Sequence, residues 1–184
     1  MIFNRIPRRL PKDIRLLDSY SESNYAANVG VHGGSGPSRV GEVIPMNSAR
    51  FITSVKFYLL RRGSPTGNIW AEIYDQITGT VGTNAKPSVA VGETLAVSNT
   101  IDITTVSNVS HELVEFTFPN PRKVTTGAMG LFVVYEDGSG GTDIVSGDDT
   151  SSPTHPGNYS QYSDGASAWS AASTDETIFY AYGY

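Results

Sequence analysis

Apolar and polar residues alternate with a period of two along much of the chain. In "ITSVKFYLL", Val55, Phe57 and Leu59 fall on one side, and Ser54, Lys56 and Tyr58 on the other. "IWAEIYDQI" repeats the pattern, with Ile69, Ala71 and Ile73 opposite Trp70, Glu72 and Tyr74. Such alternation predicts half-buried strands, and the turn-rich "RRGSPTGN" between them predicts a hairpin. "HELVEFTFP" puts Val114, Phe116 and Phe118 on one face, and "ETIFYAYGY" sets Phe179 and Ala181 against Ile178, Tyr180, Tyr182 and Tyr184. "GAMGLFVVYED" is apolar on both faces, as a central strand would be. "RVGEVIPM" predicts a strand whose Gly41 marks a bulge. Shorter strands are expected in "TLAVSNTIDI", "GTDIVSG" and "NYSQYS". "GGSGP" reads as a loop, and "TGTVGTNAKPSVAVGET" as a long polar excursion.

About eight to ten short strands without a long amphipathic helix predict an all-β fold, an antiparallel β-sandwich. A jelly-roll-like arrangement is preferred to an immunoglobulin-like one, because the strand count is high and no Cys–Trp–Cys pattern exists. The expected organisation is a single β-sandwich domain over residues 19–184, preceded by an extended N-terminal arm over 1–18. Pro7 and Pro11 exclude a continuous helix in the arm, leaving at most one turn in "KDIRLLDSY". Near the other end, "SSPTHPGN" reads as a proline-stiffened loop. "NYSQYSDGASAW" reads as a hairpin turning at "SDG", with Trp169 as its anchor.

The 184 residues suit one domain with a sizeable core. The absence of cysteine excludes disulfides, thiol nucleophiles and cysteine-ligated metal sites. No run approaches the ~20 apolar residues of a membrane span, and the N-terminus forms no signal-peptide apolar region. Charge changes the picture most. Residues 1–15 carry Arg5, Arg8, Arg9, Lys12 and Arg15 against Asp13, a local +4, and the remainder carries −9, which together make the net −5. No Lys or Arg follows Val124. A basic arm on an acidic body disfavours nucleic acid as the body's partner. It suits an acidic protein surface, to which arginine makes forked bonds.

Candidate chemistry is sparse. His32, His111 and His155 sit in no catalytic motif. The pairs Glu136–Asp137, Asp148–Asp149 and Asp175–Glu176 are adjacent in sequence, so on a strand their side chains diverge. The expectation is therefore that the protein is not an enzyme. Asp143, Asp148 and Asp149 are candidate ligands for a structural calcium. Trp70, Tyr159, Tyr162 and Trp169 are candidate aromatic platforms for a glycan. In the arm, Phe3, Arg5, Ile6, Arg8, Arg9, Leu10, Lys12 and Arg15 interleave apolar and basic groups, as in a peptide that orders on docking.

The run "ITSVKFYLLRRGSPTGNIWAEIY", followed later by "SSPTHPGNYSQYSDGASAW" and a final aromatic strand, resembles a recurrent sandwich domain of phage virion surface proteins and of accessory modules in secreted microbial proteins. The resemblance spans roughly residues 41–184. It implies a jelly-roll decoration, head-fibre or tail-associated subunit at the virion surface, anchored through its arm to a capsid or tail protein or to sister subunits. The alternative, carried by the candidate aromatic platforms, is a carbohydrate-binding module adhering to cell-surface glycans.

Overall fold

The structure, a computed structural model, describes residues 13–138 and 141–184. Its strands, in chain order, are β1 (Arg15–Tyr20), β2 (Ala27–Val31), β3 (Pro37–Met46), β4 (Arg50–Arg62), β5 (Asn68–Tyr74), β6 (Ile77–Thr78), β7 (Lys86–Pro87), β8 (Ala96–Val97), β9 (Ile101–Asp102), β10 (Glu112–Thr117), β11 (Lys123–Val124), β12 (Gly127–Val134), β13 (Asp143–Asp149), β14 (Asn158–Ser163), β15 (Ala168–Ala172), β16 (Glu176–Thr177) and β17 (Phe179–Gly183). They form an antiparallel, jelly-roll-like β-sandwich, as the alternation predicts.

The first sheet is built around β4. One edge of β4 pairs with β10 and β11; the other pairs with β17 along its first half and β13 along its second. Beyond these lie β1 on β17 and β2 on β13, while β16 closes the end of β13. The second sheet runs β15–β14–β3–β12–β5–β8, with β9 also on β5. Strand β12 is central, flanked by β3 and β5, in agreement with its two apolar faces.

The period-two residues meet between the sheets. Val55, Phe57 and Leu59 of β4 pack in one cluster with Ile69, Ala71 and Ile73 of β5, Leu131 and Val133 of β12, and Phe179 and Ala181 of β17. A sheet residue turned inward exchanges water for apolar neighbours, worth ~1.5–3 kcal/mol for a fully buried large aliphatic or Phe.

Three expectations are corrected. The segment containing Arg15–Asp18 is neither arm nor helical turn. It is β1, whose backbone groups pair with the C-terminal strand and whose Tyr20 is buried. Gly41 is not a bulge: it lies in regular register with Phe132 and Ser160. A Cβ there would run into the Leu131 carbonyl, so close backbone approach is the reason for glycine. The long polar excursion is not free of structure either. It folds as the β6–β7 hairpin, which lays Ala85, Val81 and Val89 against Tyr74, Phe132 and Trp169 on the outer face of the second sheet.

Candidate functional site

Of the docking residues expected in the arm, Phe3, Arg5, Ile6, Arg8, Arg9, Leu10 and Lys12 lie outside the described residues. Arg15 opens β1 opposite Gly183. The chain enters this edge strand through Ile14, 61% exposed, and Leu16, 48% exposed. An edge strand carrying bare apolar side chains is a surface that can accept further pairing.

The four candidate aromatics separate. Tyr159 points between the sheets, 6% exposed, and its hydroxyl donates to Gln161 Oε1 at 2.6 Å. Its ring belongs to the core and is no glycan platform. Trp169 is an anchor, as expected. Its indole N–H donates to the Val89 carbonyl at 3.2 Å, and its ring lies 4.8 Å from Phe132 and 5.2 Å from Tyr74. Tyr162 and Trp70 remain half-buried on the outer face. They stand at two ends of a cross-strand row, Tyr162–Arg39–Val134–Trp70.

The middle of that row is closed. Arg39, 3% exposed, donates to Glu72 Oε2 at 2.9 Å and to Glu136 Oε1 at 2.6 Å. Glu72 also accepts from the Trp70 indole at 3.0 Å and from the Tyr74 hydroxyl at 2.7 Å. Burial alone would lower the guanidinium, but the Glu72 and Glu136 carboxylates outweigh it and hold Arg39 above its ordinary range. Burial, with Glu72 beside it, pushes the Tyr74 hydroxyl up. Every charge in this network faces a partner.

The three aspartates expected to share a calcium do not converge. Asp143 and Asp148 stand five residues apart on β13, about 16 Å along a strand. Asp143 is taken by Arg62, whose Nε and Nη2 donate to it at 2.8 and 2.6 Å. Asp149 accepts from the Tyr20 hydroxyl at 2.5 Å and from Ser151. Asp148, the next residue along, turns to the other face, where its Oδ1 accepts from Ser146.

A different cluster, which the sequence does not announce, lies where Asp148 points. Glu42 of β3 falls in phase with Val40 and Ile44 of the core cluster and faces inward, fully buried. Its Oε2 accepts from the Thr177 N–H at 3.1 Å, while its Oε1 has no hydrogen-bond donor. Glu176 of β16 is 2% exposed, and its Oε2 also lacks a donor. His155, from the loop between β13 and β14, completes the group, with Nδ1 at 3.5 Å from Glu176 Oε2. One ligating atom each from Glu42, His155 and Glu176 lies within 4.8 Å of the others. Asp148 Oδ2 is a further buried oxygen without a donor.

The imidazole orientation follows from its partners. The Gly157 N–H donates to Nδ1 at 3.0 Å, so Nδ1 presents a lone pair and Nε2–H donates to Asp18 Oδ1 at 3.1 Å. Burial pulls the ring's pKa down, while Asp18 and Glu176 outweigh it and draw it up to about 9. The Gly157 N–H opposes that rise, because a protonated Nδ1 would face another N–H, and in the neutral ring it selects the Nε2–H tautomer. Burial, with Glu176 beside it, pushes the Glu42 carboxyl well above the usual range; burial, with Asp175 and Glu176 nearby, does the same to Asp148.

No family model, curated protein or solved structure matches this chain. The function therefore rests on the sequence and on this geometry.

Chemically, the cluster gathers carboxyl oxygens and one imidazole, with no Lys or Arg in ion-pair contact among the described residues. Ionised buried carboxylates repel unless a proton or a cation stands between them. The one signal available in sequence was phase: Glu42 occupies an inward position of β3 between the apolar Val40 and Ile44. The pairing with Glu176 and His155 is not local. The three are drawn together only when β16 of one sheet meets β3 of the other.

Proposed function

We propose that the chain is a non-enzymatic structural subunit of a virus particle, of the decoration or fibre type carried by bacteriophages. The sandwich faces outward, and the basic, apolar N-terminal segment docks on a capsid or tail protein or on sister subunits. The observation that supports this reading is the edge from which the segment departs. Residues 13 and 14 lead directly into β1, an edge strand whose Leu16 is exposed beside the acidic body.

The test compares the full chain with one lacking residues 2–12, a deletion that leaves β1 whole. Circular dichroism should show an unchanged sandwich, while co-sedimentation with particles, or the oligomer seen by light scattering, is lost. A truncated protein that is folded and still incorporated normally would overturn the proposal.

A second reading, a carbohydrate-binding surface, is favoured by the two half-buried rings at the ends of the outer row. Trp70→Ala and Tyr162→Ala should then abolish retention on a glycan panel without changing the fold. Absence of retention by the unaltered protein across the panel would remove it.

A further inference from the structure

We propose that Glu42, His155 and Glu176 form a binding site for a divalent transition-metal cation, of which Zn2+ is the representative ion, and that the ion ties the two sheets together. This inference stands apart from the virion reading and does not rest on it.

The geometry carries it. Glu42 Oε1 and Glu176 Oε2 are buried and without a donor, and one ligating atom from each of Glu42, Glu176 and His155 lies within 4.8 Å of the others. A tetrahedral ion with bonds of about 2.0–2.1 Å sets its ligands roughly 3.4 Å apart. His155 Nδ1 and Glu176 Oε2 already lie 3.5 Å apart. Gly157 packs directly against this cluster. A Cβ on that residue would lie 2.5 Å from Glu42 Oε1 and 2.9 Å from His155 Nδ1. On loading, the ion takes the Nδ1 lone pair now facing the Gly157 N–H, so that peptide must turn aside.

The rest of the surroundings fit the same assignment. Nε2–H of His155 donates to Asp18 Oδ1, the carboxylate–histidine arrangement that orients metal-bound imidazoles and raises their basicity. Asp148, whose buried Oδ2 has no donor, is a further carboxyl within the electrostatic reach of both glutamates. Asp18, which hydrogen-bonds to His155, and Pro156, which follows it, also line a surface cleft of about 340 Å3. The donor set selects the metal. Calcium takes six to eight oxygens, whereas one imidazole with two carboxylates suits Zn2+ or Mn2+.

The ion would act as a staple in a chain without cysteine. It would join β3 of one sheet to β16 of the other and pin the loop that carries His155. Through Asp18 it would also brace β1, the strand from which the N-terminal segment departs.

The test uses the full chain, stripped with a chelator and dialysed. Thermal unfolding is followed with ZnCl2, MnCl2, MgCl2 or CaCl2 added alone, for the unaltered protein and for Glu176→Gln and His155→Gln. The expected result is a rise in Tm of about 5–10 °C once free Zn2+ exceeds Kd a hundredfold, with at least tenfold weaker binding in both variants by calorimetry. If His155→Gln fails to fold, Glu176→Gln, which keeps the side-chain volume, carries the comparison. Co2+ provides an independent signal: visible absorption of a cobalt–nitrogen–oxygen centre in the unaltered protein, absent in Glu42→Gln. No Zn2+ or Mn2+ shift overturns the proposal and leaves a shared proton holding the carboxylates together. A Zn2+ shift of equal size in the variants places the ion elsewhere and overturns it as well. A response to Ca2+ but not Zn2+ overturns the transition-metal assignment.

Discussion

Two glutamates sit in neighbouring parts of the same sheet, and their surroundings differ sharply. Glu72, on the outer face of β5, is 4% exposed and is met by the Arg39 guanidinium, the Trp70 indole and the Tyr74 hydroxyl. Glu42, on the inner face of β3, is equally removed from water but receives one backbone N–H and faces another carboxyl. The first is a closed network, in which the protein supplies the opposite charge. The second is open, and its missing positive charge must come from a proton or an ion. Burial alone therefore says little about a carboxylate's role; what matters is whether its partners are already present.

The largest effect should come from breaking the closed network. Arg39→Met leaves Glu72 buried and uncompensated and is expected to destabilise the fold by about 3–5 kcal/mol in chemical denaturation, while Arg39→Met combined with Glu72→Met recovers much of that loss. A loss no smaller in the double variant would show that packing, not charge, governs the site.

Next comes the aromatic anchor beside that network, which touches its Tyr74. Trp169→Ala removes the anchor between the β14–β15 hairpin and the β6–β7 hairpin, with an expected loss of about 2–3 kcal/mol. Hydrogen exchange should rise first in residues 77–89, the segment that Trp169 holds through the Val89 carbonyl. Uniform exchange across the sandwich would contradict a local anchoring role.

At the open site the sign reverses. In metal-free protein Glu42→Gln removes one of the facing acids and should stabilise by about 1–2 kcal/mol at neutral pH, read from the denaturation midpoint. Destabilisation of the metal-free protein by this change would mean that Glu42 is compensated after all, and would erase the contrast with Glu72.

The smallest effect concerns a third partly satisfied group. His111 stacks on Tyr58, with centroids 4.9 Å apart, lies the same distance from Tyr25, and its Nε2 is buried without a partner. Burial holds its pKa below the ordinary 6.5. The unfolded chain thus binds a proton more readily than the folded one, so stability is complete above about pH 6.5 and declines as pH falls below it. His111→Phe should flatten that part of the Tm–pH profile. An unchanged slope would assign the acid sensitivity to other groups.

The strands were legible where alternation was strong. β4, β5, β12 and β17 and the β14–β15 hairpin lie where their residue patterns put them, because a side chain's face on a strand follows from its position alone. β1 was misread because six residues with a mixed pattern reveal nothing of a partner strand more than 150 residues away. The β6–β7 hairpin was missed because its few apolar residues, Val81, Ala85 and Val89, become meaningful only against the aromatic face that they cover. The calcium expectation failed because adjacency in sequence diverges on a strand, with Asp148 and Asp149 facing opposite ways.

From the sequence alone come the all-β class, the inward faces of the long strands, the anchoring role of Trp169 and the charge division between N-terminus and body. These depend on local periodicity and composition. Only the tertiary structure decided which buried acids are paired and which are not. Glu42, His155 and Glu176 are separated by more than a hundred residues of chain at their widest, and they meet solely because two sheets close on each other. A charge's partner is set by distance in space, and no periodicity in the chain encodes it.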